Sequence, residues 1–422
     1  MKVVHLSTSD TNGGAAIAAL RIFNAQVKSG IDSKFLVQSK LSNDPAVISL
    51  DQTLGDKLKF YKRFLQDELS IRTLSVSSRG RFTFPYFGIN LSNNKFIDEA
   101  DIINLHWING GFISLNTLFK LGEKNKPIVW TLHDMWAFTG GCHYNVDCEK
   151  FIDGCGFCPS LKFKTKGDFS KKIYLRKREI YKGLNLEIVT SSNWLRKEAE
   201  RSSLFHRKAI QTIPTPMDTE LFRPLDMKMI RKKLNLPVEK KLILFASMNL
   251  TDERKGFRYL IEALSLLKKI NADIYNTTGL IVFGSLDEKV LNDIPFRVYQ
   301  FGKINIQESI VECYNAADLF VAPSLQDNLP NTVIEATCCG TPVVGFNVGG
   351  MPDMIDHLEN GYLAELISSE DLAKGINTLL GNPDMLVKFR AACRVKAEKL
   401  YNEDKIAHRY LELYEKLLAN TR

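Results

Sequence analysis

Residues 324–344 read Ser324-Leu-Gln-Asp327-Asn-Leu-Pro-Asn-Thr-Val-Ile-Glu335-Ala-Thr-Cys-Cys-Gly-Thr-Pro342-Val-Val, and they decide more about the fold than any other stretch. Two carboxylates, Asp327 and Glu335, flank a Pro-Asn-Thr turn that leads into an apolar helical run and then into a strand. A helix beginning near Asn331 would direct backbone N–H groups and the positive end of its dipole toward a bound anion. A bound phosphate with an acid on each side suits a nucleotide sugar, because the two acids can accept hydrogen bonds from hydroxyl groups of the sugar and of the ribose. A capped surface helix after a strand is the simpler alternative.

Short apolar or β-branched runs alternate with longer helical patterns along the chain, which predicts an α/β fold with parallel sheets. Three prolines in residues 213–224 interrupt the series, because they can continue neither helix nor sheet. The length of 422 residues suits about two domains. We predict two Rossmann-like doubly wound domains facing a central cleft, where ligands bind at the carboxyl ends of the strands. The boundaries are residues 1–212 with a cysteine-rich insertion at 142–158, a hinge at 213–224, a second domain at 225–400 and a C-terminal helix at 401–422.

The net charge of +8 favours anionic partners such as phosphates or a membrane surface. No helix-turn-helix, zinc-finger or RNP-like pattern accompanies this charge, so we expect no nucleic-acid partner. The N-terminus lacks the apolar core of a signal peptide, and no run of about 18 apolar residues occurs. These features predict a cytoplasmic protein, and peripheral contact with the inner face of the plasma membrane remains an open alternative.

Three further segments carry candidate site residues. Gly13 and Gly14 follow the first strand and begin a helix, where a backbone without Cβ atoms can approach a phosphate or sugar closely. Arg254 and Lys255 lie between a strand and a helix and can neutralise a diphosphate. His133, like His106, ends a predicted strand and could bind a sugar hydroxyl or shuttle a proton. The alternatives are an ordinary tight turn at the glycine pair, a solvated charge cluster at residues 254–255, and a structural role for the two histidines.

Taken in order along the chain, these motifs resemble the retaining GT-B glycosyltransferases (glycosyl transferases group 1, family 4). The family carries two acids separated by seven residues before a Cys-Gly-Thr-Pro-Val-Val-like segment, and residues 327–344 are similar. Residues 213–224 look like the family's Pro-Asn-Gly-Val-Asp linker, and residues 254–256 like its Lys-Gly diphosphate clamp. Residues 349–353 resemble the segment after the donor site, and the glycine pair at 13–14 resembles the family's N-terminal glycine loop.

Residues 131–143, Thr-Leu-His-Asp-Met-Trp-x-x-Thr-Gly-Gly-Cys-His, are most similar to the branch that builds bacterial surface polysaccharides. The resemblance implies a hexosyltransferase that moves a sugar from a nucleoside-diphosphate sugar to a saccharide acceptor, with a lipid-linked acceptor expected. It further implies that His133, Lys255 and Asp327 are catalytic. The implied donor-binding residues are Gly13, Gly14, Arg254, Lys255, Asp327, Asn328, Leu329, Thr332 and Glu335.

Two departures from the family pattern bear on this reading. Asp327 stands where the family has glutamate and is one methylene shorter, which puts the sugar contact and the donor identity in question. Met248 and Asn249 stand roughly where the family has Gly-Arg, so Arg254 would substitute for that arginine. A non-catalytic sugar-nucleotide or glycan-binding protein and a sugar-nucleotide epimerase therefore remain alternative functions, since fold does not fix function.

The resemblance favours a front-face mechanism that needs no cofactor, in which the leaving phosphate helps to deprotonate the acceptor and cations stabilise the leaving group. A metal is nevertheless suggested elsewhere. Cys142, Cys148, Cys155 and Cys158 have the ligand count of a structural zinc site, with His143 nearby as a further candidate. Unligated buried thiols are the alternative, and disulfides fit a reducing compartment less well.

Residues 57–65 mix basic and apolar side chains at helical spacing, and lysines at 162–166 and 171–172 add positive charge. Such a surface can lie on anionic lipid, and a lipid-linked acceptor would favour that contact. A solvated helix face is an equal alternative on the sequence alone.

Overall fold

The computed structural model describes residues 1–420 except 77–79, 250–251, 286–293 and 295, and the backbone but not the side chain of Asn249. It divides into two compact units. The first consists of Met1–Pro216 with Asp404–Arg422, and the second of Met217–Glu403.

The first unit contains an all-parallel seven-stranded sheet with the order β3-β2-β1-β4-β5-β6-β7. Its central strands are buried on both faces, as expected when helices cover both sides of a parallel sheet. The strands are β1 (Lys2–Ser9), β2 (Asp32–Ser39), β3 (Val47–Ser49), β4 (Ile102–Leu105), β5 (Ile128–Leu132), β6 (Leu186–Thr190) and β7 (Ile210–Thr212). The helices are α1 (Gly14–Lys28), α2 (Leu54–Leu74), α3 (Lys95–Glu99), α4 (Leu115–Gly122), α5 (Phe169–Lys182) and α6 (Asn193–Arg201), with a 3₁₀ turn at Trp136–Phe138.

The second unit contains a parallel six-stranded sheet with the order β10-β9-β8-β11-β12-β13. The strands are β8 (Lys241–Asn249), β9 (Thr278–Ser285), β10 (Arg297–Gln300), β11 (Leu319–Ala322), β12 (Val343–Phe346) and β13 (Gly361–Ala364). The helices are α7 (Met227–Lys233), α8 (Phe257–Ile270), α9 (Ala272–Thr277), α10 (Gln307–Ala316), α11 (Asn331–Cys338), α12 (Met351–Met354), α13 (Ser369–Leu380) and α14 (Pro383–Leu400), with a 3₁₀ turn at Glu253–Lys255.

The last helix, α15 (Glu403–Ala419), returns to the first unit, where Tyr410 and Tyr414 are buried against strand residues of the seven-stranded sheet. The predicted α/β class with two Rossmann-like parallel sheets is therefore confirmed. In the part of the chain that the structure describes, no helix combines the length and apolarity needed to span a bilayer.

Candidate active site

In the second unit, the predicted donor residues lie at the carboxyl end of β11, in a turn over residues 323–330 that we call the donor loop. Gly350 N–H donates to the carbonyl oxygen of Asp327 at 3.0 Å. Gly349 has a φ of 57°, and a Cβ atom at this residue would lie 2.0 Å from the same oxygen. Only glycine fits this approach, so the segment after β12 fixes the backbone of the donor loop.

The carboxylate of Asp327 is held by two cations from the loop after β8. Lys255 Nζ lies 2.6 Å from Asp327 Oδ2, and Arg254 Nη1 lies 3.5 Å from the same oxygen. Arg254 also donates to the carbonyl oxygen of Gln326 at 3.1 Å and to Asp252 Oδ2 at 3.2 Å. The structure thus brings together the two predicted diphosphate ligands and the predicted sugar ligand.

Burial alone would raise the pKa of Asp327, but Lys255 and Arg254 outweigh burial, so the pKa of this carboxyl falls below its usual value. The side chain of Asp327 is 10% exposed and that of Lys255 is 24% exposed. The carboxylate is therefore ionised at neutral pH, and the lysine retains access to solvent.

Helix α11 begins at Asn331, directly after the donor loop, and Glu335 is buried in its second turn. Tyr314 donates from its hydroxyl to Glu335 Oε2 at 3.0 Å, which orients the carboxylate. Asn328 is buried in the donor loop, and Leu329 packs on the core of this unit. Thr332 lies in the first turn of α11.

The remaining predicted donor residues, Gly13 and Gly14, lie in the first unit. Gly13 precedes α1 with a φ of 100°, and no atom comes within 4 Å of the position that its Cβ would occupy. The backbone of this turn is therefore open to a ligand. His133 lies in the same unit, at the carboxyl end of β5.

Three histidines of the first unit form a hydrogen-bonded row. His133 Nε2 lies 3.2 Å from His106 Nδ1, and His106 Nε2 lies 3.0 Å from His5 Nδ1. Burial lowers the pKa of His5 and of His133 to about 4, and burial followed by the two neighbouring histidines holds the pKa of His106 well below its usual value. All three are therefore neutral at pH 7. His133 is the half-buried end of the row and lines a small cavity with Asp134.

Asp134 is a site residue that the motif analysis did not single out. Its Oδ2 lies 2.6 Å from His143 Nδ1 and accepts from Trp107 Nε1 at 3.1 Å, and its Oδ1 accepts from the backbone N–H of Trp136 at 2.8 Å. Burial would raise the pKa of Asp134, but His143, the backbone N–H of Trp136 and His133 together lower it below its usual value. The only sequence signal was its place directly after His133.

The suggestion that His143 could join the cysteines as a metal ligand is wrong in this structure. Its Nδ1 faces Asp134, and its Nε2 lies 2.9 Å from the hydroxyl of Thr83. Both ring nitrogens are thus engaged away from the thiols.

The four cysteines of the insertion line one cavity of about 10 Å³ and form no disulfides. Within the described residues, no three His, Cys, Asp or Glu side chains are arranged to hold a metal ion. The structural zinc therefore stays a prediction, supported by the convergence of Cys142, Cys148, Cys155 and Cys158 on the same cavity.

Comparison with known proteins decides the family. The family model described as glycosyl transferases group 1 matches residues 226–399. An uncharacterized glycosyltransferase of Haemophilus influenzae is 30% identical over 400 residues, which are 93% of this chain and 94% of that protein. The chain belongs to the group 1 glycosyltransferases.

Other matches to this glycosyltransferase agree with its family and fold. The N,N'-diacetylbacillosaminyl-diphospho-undecaprenol alpha-1,3-N-acetylgalactosaminyltransferase of Campylobacter jejuni is 27% identical over 207 residues, 47% of this chain and 52% of that protein. Sucrose-phosphate synthase of Thermosynechococcus elongatus has a TM-score of 0.70 at 19% identity, covering 99% of both chains. HepE of Anabaena, solved with UDP-glucose, has a TM-score of 0.65 at 16% identity, covering 99% of this chain and 100% of that one. The glycosyltransferase therefore has the GT-B fold.

Proposed function

We propose that this glycosyltransferase transfers a hexose from a nucleoside-diphosphate sugar to a saccharide acceptor with retention of the anomeric configuration. The observation that carries the proposal is the pairing of Asp327 with Lys255 and Arg254 beside the first turn of α11. Two cations and a helix N-terminus suit a diphosphate, and the adjacent carboxylate suits sugar hydroxyls. The fold shared with HepE, whose structure holds UDP-glucose, supports the donor class.

Each residue has a definite role in this proposal. Lys255 and Arg254 bind the diphosphate, and Asp327 accepts hydrogen bonds from hydroxyls of the transferred sugar. Glu335, held by Tyr314, binds the ribose. The donor loop and the first turn of α11 contribute Asn328, Leu329 and Thr332, and the turn before α1 contributes Gly13 and Gly14.

In the proposed reaction, the bond between the anomeric carbon and the phosphate oxygen breaks, and the acceptor oxygen bonds to the same face of the sugar. The proton of the acceptor hydroxyl passes to the departing phosphate, so the products are the glycoside and the nucleoside diphosphate. The cations stabilise the negative charge that develops on the leaving group, and this electrostatic contribution is the main catalytic effect.

The experiment is a screen of nucleoside-diphosphate sugars, with donor turnover and the anomeric configuration of the product followed by proton NMR. Lys255→Ala should lower turnover by about 100-fold or more, because one charge on the leaving group is lost. Lys269→Ala is the matched control, since Lys269 is exposed near the end of α8. Near-normal transfer by Lys255→Ala would refute the assignment. Donor binding without turnover in the unmodified protein would instead favour the non-catalytic alternative.

We further propose a lipid-linked saccharide acceptor used in surface-polysaccharide synthesis at the inner face of the plasma membrane. The Campylobacter jejuni relative, whose name includes diphospho-undecaprenol, supports a lipid-linked acceptor. Helix α2 supports membrane contact, because five large apolar side chains recur on it at spacings of three and four residues and are 47–75% exposed. This α2 stripe consists of Leu54, Leu58, Tyr61, Leu65 and Leu69.

The charges on α2 favour an anionic bilayer as the partner of the stripe. Lys57, Lys59 and Lys62 are exposed on the same helix. Arg63 is not part of this surface, because it turns inward and donates to Gly111 O at 3.0 Å and Gln38 Oε1 at 3.1 Å. An apolar face with basic residues on the same helix is typical of a helix that lies in the membrane interface.

Vesicle flotation tests this contact. The protein should float with vesicles containing phosphatidylglycerol at low salt, and Leu58→Ser/Leu65→Ser should abolish flotation. Val387→Ser/Val395→Ser is the matched control, because these two valines on α14 are at least as exposed as Leu58 and Leu65. Unchanged flotation of the α2 variant would contradict the proposal. Sedimentation experiments showing that a second copy of the chain covers the stripe would contradict it as well.

A further inference from the structure

The cavity at the end of β5 is small and has both aromatic and polar walls. Its volume is about 10 Å³, which is room for about one water-sized group. Trp107, Trp130 and Trp136 line it, and Asn109 and Asp134 contribute polar side chains besides the histidines. A ligand group that enters this cavity must therefore be as small as a hydroxyl group.

Asp134 keeps one hydrogen-bond acceptor position for such a group. An ionised carboxylate offers about four lone-pair positions, two on each oxygen. His143 and Trp107 occupy both positions on Oδ2, and the backbone N–H of Trp136 occupies one on Oδ1. Among the residues that the structure describes, no further donor reaches this carboxylate, and its side chain is 14% exposed. One lone pair on Oδ1 therefore remains for a donor from a ligand.

Asn109 supplies a complementary group in the same cavity. The residue is only 6% exposed, yet its side-chain amide makes no hydrogen bond to any described residue. Its backbone is held by Thr8, whose hydroxyl donates to the carbonyl oxygen of Asn109 at 2.7 Å. Because buried amides are nearly always hydrogen-bonded in folded proteins, this amide requires a ligand or a water molecule as its partner.

The turn after β5 holds Asp134 in a fixed orientation. Lys177 of α5 is buried against this turn, where its ammonium donates to the carbonyl oxygens of Trp136 and Thr139 and lies 3.5 Å from the centroid of the Trp136 ring. Trp136 Nε1 also donates to the carbonyl oxygen of Thr83 at 3.2 Å. The N–H that binds Asp134 is thus fixed by contacts of Trp136 at its carbonyl and at its ring, so the remaining lone pair of Oδ1 has a defined direction.

We propose that Asn109 and Asp134 form a subsite for one hydroxyl group of a saccharide substrate, which we call the hydroxyl subsite. A hydroxyl group has one hydrogen to donate and two lone pairs with which to accept. It donates to Oδ1 of Asp134 and accepts from Nδ2 of Asn109, so that both protein groups are satisfied at once. This inference rests on the proposed function for the choice of a saccharide. A sugar without a hydroxyl group at that carbon leaves both protein groups unpaired and is rejected.

The charge of Asp134 suits it for binding the hydroxyl group rather than for deprotonating it. The pKa of this carboxyl lies below its usual value, whereas a general base works best with a pKa near the working pH. Hydrogen bonds to an ionised acceptor are stronger than those between neutral groups. Asp134 is therefore a specificity-determining residue, and the proton of the acceptor still passes to the departing phosphate.

Nitrogen–proton NMR of the full chain labelled with ¹⁵N-tryptophan tests the subsite. Trp107, Trp130 and Trp136 line the cavity, and Trp194 on α6 is not in its lining and serves as an internal reference. The probes are methyl glycosides of glucose, galactose, mannose and N-acetylglucosamine, the corresponding UDP-sugars, and the monodeoxy form of each. At least one sugar should shift the indole signal of Trp107, and removal of one hydroxyl group from that sugar should weaken binding about tenfold or more.

Asn109→Ala and Asp134→Asn test the two groups separately. In each variant the ratio between the affinities for the sugar and for its deoxy form should fall to about twofold or less, because a group that recognises the hydroxyl is lost. A purely structural role would change both affinities by the same factor and leave their ratio unchanged. Asn93→Ala is the matched control, since Asn93 is exposed in the same unit. If Asp134→Asn fails to fold, Asn109→Ala decides the result.

The inference is overturned if no sugar of the panel shows a preference over its deoxy form that depends on Asn109 or Asp134. A water molecule that sugars do not displace from the cavity would give this result. A preference among the methyl glycosides assigns the hydroxyl group to the acceptor, and one confined to the UDP-sugars assigns it to the transferred sugar. Either preference supports the subsite.

Binding is measured without turnover, so failure of the two proposals can be told apart. If the preference is found but the protein transfers no sugar, the hydroxyl subsite stands and the proposed function fails. If the protein transfers sugar but shows no such preference, the subsite fails and the proposed function stands.

Discussion

The ion pair between Lys255 and Asp327 should respond unequally to removal of its two partners. Lys255→Met leaves a carboxylate that is only 10% exposed, whereas Asp327→Asn leaves an ammonium that is 24% exposed and can extend into water. Loss of one partner of a buried pair costs about 3–5 kcal/mol. Arg254, 3.5 Å away, and the N–H of Asn328, 3.1 Å away, still stabilise the carboxylate. We therefore expect Lys255→Met to destabilise the second unit by about 2–3 kcal/mol.

Asp327→Asn should cost only about 1 kcal/mol, because the lysine regains solvent and the amide replaces the carboxylate at similar volume. The double variant should be more stable than Lys255→Met alone, since it leaves no buried unpaired charge. Hydrogen exchange of peptides from residues 319–346 measures these changes in the second unit. The four tryptophans all lie in the first unit, so an unchanged fluorescence transition is the control.

The pH dependence provides a second check on the same pair. The pKa of Asp327 is lowered in the folded protein, so its stabilising contribution is present above about pH 4 and is lost as pH falls through the folded pKa. The difference in stability between the unmodified protein and Lys255→Met should therefore shrink as pH falls below about 4. The reasoning is refuted if Asp327→Asn costs as much as Lys255→Met, or if the difference does not depend on pH.

Three other predictions follow from packing and charge. Burial raises the pKa of Asp67 to about 6, so the stability of the first unit should fall as pH rises from about 4 to 6. Asp67→Asn should therefore stabilise this unit by about 1–3 kcal/mol at pH 8 but not below pH 4, as measured by urea unfolding followed by tryptophan fluorescence. Gly349→Ala should cost about 2 kcal/mol more than Gly302→Ala by hydrogen exchange, because both residues have positive φ but only Gly349 faces a donor-loop carbonyl. Elemental analysis should find one zinc per chain, and this zinc should be lost in Cys155→Ser/Cys158→Ser. The site would be excluded if protein purified under reducing conditions contains no zinc and its stability does not change when chelators are added.

The fold and the donor loop were predictable because their signals are local. Asp327, Glu335 and the turn between them lie within nine residues, and the strand–helix alternation around them reports directly on the parallel sheet. The pairing of Asp327 with Lys255 was not predicted, although both residues were expected at the donor. Which side chain neutralises which depends on how the loops after β8 and β11 meet, and spacing along the chain does not encode this.

The hydrogen-bonded row of His5, His106 and His133 could not be predicted because its members are distant in sequence. His5 appears only as a polar residue within an apolar strand, and Gln26 as one residue of an Ala-rich helix. Gln26 lies 3.0 Å from His5 Nε2 and is hydrogen-bonded to the hydroxyl of Tyr414, which is 388 residues further along the chain in a helix whose sequence gives no sign that it returns to the first unit. A buried polar residue requires a partner, so His5 signals that a partner exists without identifying it.

The two candidate ligand surfaces also differ in charge, for a physical reason. The donor loop holds ionised groups, which compensate one another where they are partly removed from water, and such groups suit a charged diphosphate. The end of β5 holds histidines that burial keeps neutral, and neutral donors and acceptors suit sugar hydroxyls. A charged residue at the buried position of His106 would require a compensating partner, and the neighbouring His5 and His133 are neutral. Recognition there therefore depends on hydrogen bonds rather than on the pairing of opposite charges.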